Sequence, residues 1–308
     1  MSKVLIAIVG PTGIGKTGRA ISLAKHLNTD VFSCDSRQFF KEMSIGTAVP
    51  SSVELNTAKH HFIQHKSIFD SYSVGDFERE AIQALEKLFS KNDRAVLVGG
   101  SALYMDAILY GLDNFPEVKP EIREGLNTLL KKKGISALQT QLKNLDSKYH
   151  AVVDLNNPHR LIRALEISIS SGRPYSSFLN QQRVRRKFQY ILLGLQAERE
   201  VIYERINQRV DQMVENGLVQ EAEAMYPNRH LNALNTVGYK ELFDYFEGTT
   251  SMEKAISEIK KNTRRFAKRQ LTWYRKNTEV HWLDYDLPEE EFINAVELKI
   301  KKVINASD

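Results

Sequence analysis

Cysteine is nearly absent: Cys34 stands alone among 308 residues. A single thiol excludes an internal disulfide and any zinc site built from several cysteines, and it fits a reducing, cytoplasmic setting. Long apolar runs are missing too, and none approaches the length of a membrane span. The start, "MSKVLIAIVG", is apolar but has no small-residue cleavage site after it, so it reads as a buried strand and not as a signal peptide. No internal repeat or low-complexity tract occurs. What is present is ordinary for a globular chain: 42% hydrophobic and 26% charged residues. The length suggests two domains, or one with a large insertion.

One stretch lacks acids altogether. Residues 260–276, "KKNTRRFAKRQLTWYRK", hold eight of the 43 Lys and Arg residues and no Asp or Glu. The rest of the chain is then at −3, although the whole stands at +5. A positive excess gathered in one segment is the footprint expected of a surface for a polyanion. Ile256, Ile259, Phe266 and Trp273 follow helical spacing and are expected to form one buried stripe. Lys261, Arg264, Arg265, Lys268, Thr272 and Arg275 would line another face. A charge run is usually a solvated face, but here Trp273 and Tyr274 are interleaved with the cations. "HRLIR" (159–163) and "RVRRK" (183–187) add two further basic clusters. Arginine and aromatic groups of this kind suit splayed single-stranded RNA.

The clearest motif is "GPTGIGKT" at residues 10–17, a Gly-x-x-x-x-Gly-Lys-Thr phosphate-cradling loop. A continuous apolar run, "KVLIAIVG", precedes it and reads as a central strand of a parallel sheet. An amphipathic helical pattern, "KTGRAISLAKHL", follows it. Strand, glycine-rich loop and helix in that order are the context such a loop requires. "DVFSCDS" reads as a second strand that ends at Asp35 and Ser36. "RAVLVGGSALY" repeats the grammar of strand, double glycine and helix. Ligands of open α/β sheets sit at the carboxyl ends of the strands. Residues 12–17, 35–38 and 99–101 should therefore converge on one cleft.

From about residue 114 to 187 the pattern turns helical, with no clear strand, and the sheet resumes at "FQYILLGLQ" (188–196). A long helix broken near Gly217 follows, and "HWLDYD" is read as the last strand. The expected fold is α/β. It has a P-loop NTPase-like parallel-sheet core of residues 1–113 and 188–308, flanked by helices, and an all-helical insertion domain at 114–187 that contacts RNA.

The chemistry-bearing side chains each admit two readings. Lys16 is a compact cation able to reach an outer phosphate, and Thr17 offers a hydroxyl to Mg²⁺ or to a phosphate oxygen. Asp35 reads equally as a helix cap or as a carboxylate beside the loop. Ser101 after the double glycine could likewise be a cap. Arg205 and Arg209 lie on one helix face, and from sequence alone a solvated face beside Glu204 and Asp211 is the better reading. His60 and His61, with His65 nearby, are read as part of a loop near the second strand, not as a metal site.

Taken together, "GPTGIGKT", "SCDSRQFFKEMSIGTAVP", "HHFIQ", "VGGSALYM", "HRLIRALEI", "ERINQRVDQMVENGL", "TVGYKEL" and "RRFAKRQLTWYRK" resemble, in order and over nearly the whole chain, the tRNA dimethylallyltransferases. That resemblance implies transfer of a dimethylallyl group from dimethylallyl diphosphate to the exocyclic N6 amine of the adenosine just 3′ of the tRNA anticodon. It also implies that Gly10, Pro11, Thr12, Gly13, Ile14, Gly15, Lys16 and Thr17 hold the donor's diphosphate, with Mg²⁺ at Thr17. Arg209 would neutralise the leaving group, Asp35 would accept the amine proton, and Ser101 would contact the leaving group or the base. The anticodon stem-loop would be met by Asp35, Ser36, Arg37, Gln38, Ser101, Arg123, His159, Arg160, Leu161, Ile162 and Arg163. It would also meet Thr236, Val237, Gly238, Tyr239, Lys240, Arg264 and Lys268. Two positions depart from the pattern: Gln64 stands where the family often has Asp, and Ser101 where it usually has Thr. No cysteine-rich C-terminal segment is present, which fits the bacterial type, and a monomer is expected. Two other readings use the same residues: a small-molecule kinase of this architecture, and a non-catalytic RNA-binding protein switched by a nucleotide.

Overall fold

A computed structural model describes residues 2–179 and 184–306. The chain divides into two compact units, Met1–Tyr110 with Arg186–Asp308, and Gly111–Arg185. In the first unit the order is β1 (Val4–Val9), α1 (Lys16–His26), β2 (Val31–Ser33), α2 (Ser52–Thr57), β3 (His60–His61), α3 (Val74–Phe89), β4 (Arg94–Val98) and α4 (Ala102–Tyr110). The second unit carries α5 (Pro120–Lys133), α6 (Ile135–Leu145), α7 (Ser147–His150) and α8 (Pro158–Ser171). The chain then returns to the first unit with β5 (Gln189–Gln196), α9 (Arg199–Glu215), α10 (Leu218–Met225), α11 (Tyr239–Phe246), α12 (Met252–Tyr274), β6 (His281–Asp284) and α13 (Glu289–Asn305).

The six strands form one sheet in the order β3-β2-β4-β1-β5-β6, and every pairing is parallel. A parallel sheet needs both faces covered, and β1 shows how the sequence meets that need. Its residues alternate: Val4, Ile6 and Ile8 join a cluster with α1, α9 and α13, while Leu5, Ala7 and Val9 join one with α3 and α4. All six are fully enclosed. A third cluster, including Met43, Leu218, Tyr239 and Ile259, ties α9 to α12. Gly10 closes β1 at a place where a β-carbon would stand 2.8 Å from the Leu195 carbonyl oxygen, with φ at +141°. Only glycine fits that approach and that conformation together.

The His-His pair corrects one expectation. It is a short edge strand, with His60 and His61 in register with Val31 and Phe32. His61 stacks on Phe32 at 4.4 Å between ring centroids and its Nε2 lies 2.7 Å from Asp30. Gln64 has a structural place, donating to the Lys41 carbonyl and to Ser44 Oγ. Among the described residues no group of three His, Cys, Asp or Glu side chains could hold a metal ion, and no helix is long and apolar enough to cross a membrane.

The second unit has its own apolar core, centred on Leu126, Leu138, Leu142, Leu161 and Leu165. Within it Glu166, 1% exposed, accepts from Arg123 Nε (2.6 Å) and Nη2 (2.8 Å) and from Arg163 Nη1 (2.7 Å). Burial works against ionisation of that carboxyl, but the two arginines outweigh it and hold it below its ordinary range.

Candidate active site

The carboxyl ends of β1, β2 and β4 carry the candidate side chains, the place where ligands of an open α/β sheet sit. The glycine-rich loop leaves β1 and turns into α1 at Gly15, whose φ of 99° puts it in the left-handed region. Lys16 opens the helix. Its Nζ donates to the Gly10 and Pro11 carbonyls at 3.0 and 2.9 Å, which arches the side chain over the loop. Burial lowers its pKa to about 8, a fall that Asp35 opposes and Arg209 reinforces. On the neighbouring α9, burial likewise pulls the Arg209 guanidinium below its ordinary range, again against the attraction of Asp35. Two half-buried cations thus stand beside a phosphate-type loop, with one carboxylate near both.

Asp35 lies two residues past β2, which ends earlier than the sequence suggests. Its Oδ1 accepts the Arg37 backbone N–H at 3.2 Å. Ser101 is tied to the same loop: its Oγ accepts the Ser36 N–H at 3.0 Å and shares a 2.9 Å hydrogen bond with Ser36 Oγ. Arg37 anchors the loop to the segment before α11, donating to the carbonyls of Ala233 at 2.9 Å and Asn232 at 3.3 Å. Cys34 is no nucleophile: burial, with Asp35 next, pushes its thiol far up.

A cavity of about 750 Å³ is lined by Thr12, Asp35, Ser36, Arg37, Ser101, Arg209, Thr236, Val237, Gly238 and Lys240. Ten residues expected at the site therefore meet in one place. Arg209 corrects its reading as part of a solvated face. Phe266 and Arg269 also line the cavity. Sequence spacing assigned Phe266 and Trp273 to a buried stripe, yet they are 37% and 49% exposed. The side chains that α12 actually buries are Ala255, Ile259, Ala267, Gln270 and Tyr274.

Other expected contact residues are turned inward, and their side chains correct the reading. Gln38 is buried and donates to the carbonyls of Thr47 and Ala48. Tyr239 is fully buried and its hydroxyl donates to Glu221 at 2.7 Å. Glu221 was not anticipated; it also accepts the N–H groups of Ser44, Ile45 and Gly46. In the second unit Leu161 and Ile162 are core residues, and the Arg123 and Arg163 guanidinium groups are committed to Glu166. His159 and Arg160 are exposed at the start of α8. Arg264 donates to Asn207 Oδ1 at 2.7 Å. Lys268 lines a different cavity of about 730 Å³ on the other flank of α12, with Arg199, Tyr203, Thr272, Arg275 and Tyr285. Of the "RVRRK" cluster, Arg183 lies outside the described residues. Arg186 is paired with Glu78 at 2.5 Å and Lys187 with Glu86 at 2.9 Å, so their charges are matched within the protein.

The second side chain that sequence reading missed is Gln270, 4% exposed. Its Oε1 accepts the Thr12 N–H at 2.8 Å and its Nε2 donates to the Gly100 carbonyl at 2.8 Å. The available signal was its helical spacing between Ala267 and Tyr274, which marks an inward-facing position.

Residues 38–277 match the family described as IPP transferase. The chain is 59% identical over 300 residues to a tRNA dimethylallyltransferase of Christiangramia forsetii, covering 97% of this chain and 99% of the relative. It is 56% identical over 308 residues to one of Flavobacterium johnsoniae, covering 98% and 100%. Among solved structures it is similar to the tRNA isopentenylpyrophosphate transferase of Bacillus halodurans, with a TM-score of 0.73 and 37% identity over 100% of this chain and 99% of that one. It is also similar to a eukaryotic dimethylallyltransferase acting on tRNA, with a TM-score of 0.77 and 27% identity over 93% and 75%.

Proposed function

The chain belongs to the IPP transferase family, and on that premise we propose that it transfers the dimethylallyl group of dimethylallyl diphosphate to the N6 amine of the adenosine 3′ of a tRNA anticodon. The observation that carries this reading is one cleft lined by Thr12 of the glycine-rich loop, Arg209, Asp35 and Ser101, with Lys16 close enough to feel both Arg209 and Asp35. Nothing in the loop requires an adenosine on its diphosphate. The named relatives all act on tRNA, which leaves the kinase reading without support.

In this reaction the amine nitrogen forms a bond to the allylic carbon while the carbon–oxygen bond to diphosphate breaks. Negative charge grows on the departing oxygens, which Lys16, Arg209 and N–H groups of the loop would neutralise. Such preorganised cations lower the barrier most. Asp35 accepts the proton that the nitrogen sheds. Ser101, tied to Ser36, orients the base-side loop. The target base must leave its stack to reach the cleft, and Thr236, Val237, Gly238 and Lys240 would line its path. In the second unit the exposed His159 and Arg160 would meet the anticodon stem.

Mg²⁺ fits as a partner of the substrate, not as a resident ion, because the described residues offer no three-ligand cage while a Mg²⁺ ion is commonly shared with phosphate oxygens. Thr17 would hold it, and it would neutralise diphosphate charge. The protein would work in the cytoplasm, as a monomer.

The test uses labelled dimethylallyl diphosphate, Mg²⁺ and two unmodified tRNAs. One has adenosine 3′ of the anticodon; the other has a purine without the exocyclic amine there. Label should pass to the first alone. Equal labelling of both, or phosphoryl transfer from ATP to a small molecule with no label in RNA, would overturn the proposal.

A further inference from the structure

The buried carboxamide of Gln270 is not accounted for by any step above. Ala255, Ile259, Ala267 and Tyr274 bury mainly apolar bodies on the same helix. A buried amide is costly unless both of its ends are paired. Here both are, and the partners belong to different loops. Thr12 lies in the diphosphate loop after β1, and Gly100 in the loop after β4 that leads to Ser101.

Gly100 closes the arrangement. A β-carbon there would stand 2.7 Å from Gln270 Nε2 and 3.2 Å from Asp35 Oδ2. No side chain therefore fits at position 100 beside the amide and the carboxylate. One turn before Gln270, Phe266 lines the reaction cleft, and so does Arg269. A helix is a rigid element, so a shift of these cleft-facing groups moves the amide with them. The amide is fitted to both contacts: Thr12 N–H requires an acceptor and the Gly100 carbonyl requires a donor.

We propose that Gln270 is a positioning residue that couples RNA contact along α12 to the geometry of the diphosphate loop, so that each substrate is bound more tightly in the presence of the other. This rests on the reaction proposed above but is tested by binding alone. Inorganic pyrophosphate with Mg²⁺ is titrated calorimetrically into the full chain, with and without saturating unmodified tRNA. Couplings of this kind commonly amount to about 5–150-fold, and the wild-type protein should bind pyrophosphate roughly tenfold more tightly with RNA present. In Gln270→Met, which keeps volume and loses both hydrogen bonds, the RNA effect should fall below about twofold by the same reciprocity. Gln270→Glu keeps the acceptor for Thr12 and loses the donor to Gly100, so it should lose at least half of the coupling. This second variant decides the matter if Gln270→Met does not fold, as judged by thermal melting. A wild-type protein with no RNA effect, or folded variants with the wild-type effect, would overturn the proposal. Absence of label transfer by the wild type would refute the reaction instead and leave this binding result standing.

Discussion

Two pairs of cations sit in this chain, and they are treated in opposite ways. In the Gly111–Arg185 unit, Arg123 and Arg163 converge on Glu166, which three charge-assisted hydrogen bonds satisfy. In the other unit, Arg209 lies on the wall of the candidate cleft with no carboxylate in ion-pair reach among the described residues, and Lys16 bonds only to loop carbonyls. Burial depresses the pKa of both cleft cations, and Asp35 offsets this only in part. Desolvating a charge without its counter-ion costs free energy even where burial is partial, so a fold keeps such a charge where something else supplies the opposite one. The Arg–Glu–Arg cluster belongs to the architecture of its unit. The cleft cations suit an anion that comes and goes.

The comparison can be sharpened by substitution. The largest effect is expected at Asp35. Asp35→Ala should slow single-turnover label transfer by about 10²–10⁴-fold, the range of general-base losses, while pyrophosphate affinity changes little. A near-normal rate would remove Asp35 from the chemistry. Arg123→Ala should leave pyrophosphate binding alone and cost the protein about 1–3 kcal/mol, because one partner is removed from a buried carboxylate. A thermal melt indistinguishable from wild type would show that the cluster holds nothing together.

The Lys16 pKa gives the comparison a pH axis. Bound pyrophosphate favours the protonated amine, so the complex retains a proton that the free protein loses above a pH of about 8. Affinity should be complete below that pH and fall by up to about tenfold per pH unit above it. Calorimetry between neutral pH and pH 10 measures this, and Lys16→Met should lack the decline. The smallest effect is expected at Lys268, which lies outside the reaction cleft. Lys268→Ala should weaken tRNA binding a few-fold and reduce the slope of log affinity against log salt by about 0.7–0.9, the share of one phosphate. An unchanged slope would mean that Lys268 touches no phosphate.

Much of this site was legible in the sequence because it depends on backbone grammar. An apolar strand, a glycine-rich loop and a helix start place Thr12, Lys16, Asp35 and Ser101 together whatever surrounds them. Three kinds of feature were not legible. The His60–His61 strand is two polar residues long and exists only through its pairing with β2, which no local pattern announces. The Arg123–Glu166 pair joins positions 43 residues apart, so a cation that looks ready for RNA is paired with a buried carboxylate of its own unit. On α12 the basic residues hid the true register: Phe266 faces the cleft, and Gln270, polar and unremarked, faces inward. Helical spacing counts polar side chains against burial, and so misses those whose burial is made good by hydrogen bonds from distant loops.

The most direct test of the contrast is a calorimetric titration of pyrophosphate and Mg²⁺ into Arg209→Gln and Arg123→Gln side by side. The account predicts that Arg209→Gln loses at least about tenfold in affinity, the equivalent of ~1.4 kcal/mol, while Arg123→Gln binds as the wild type does. Equal affinities for the two variants would contradict it, because the cleft arginine would then be one more structural cation.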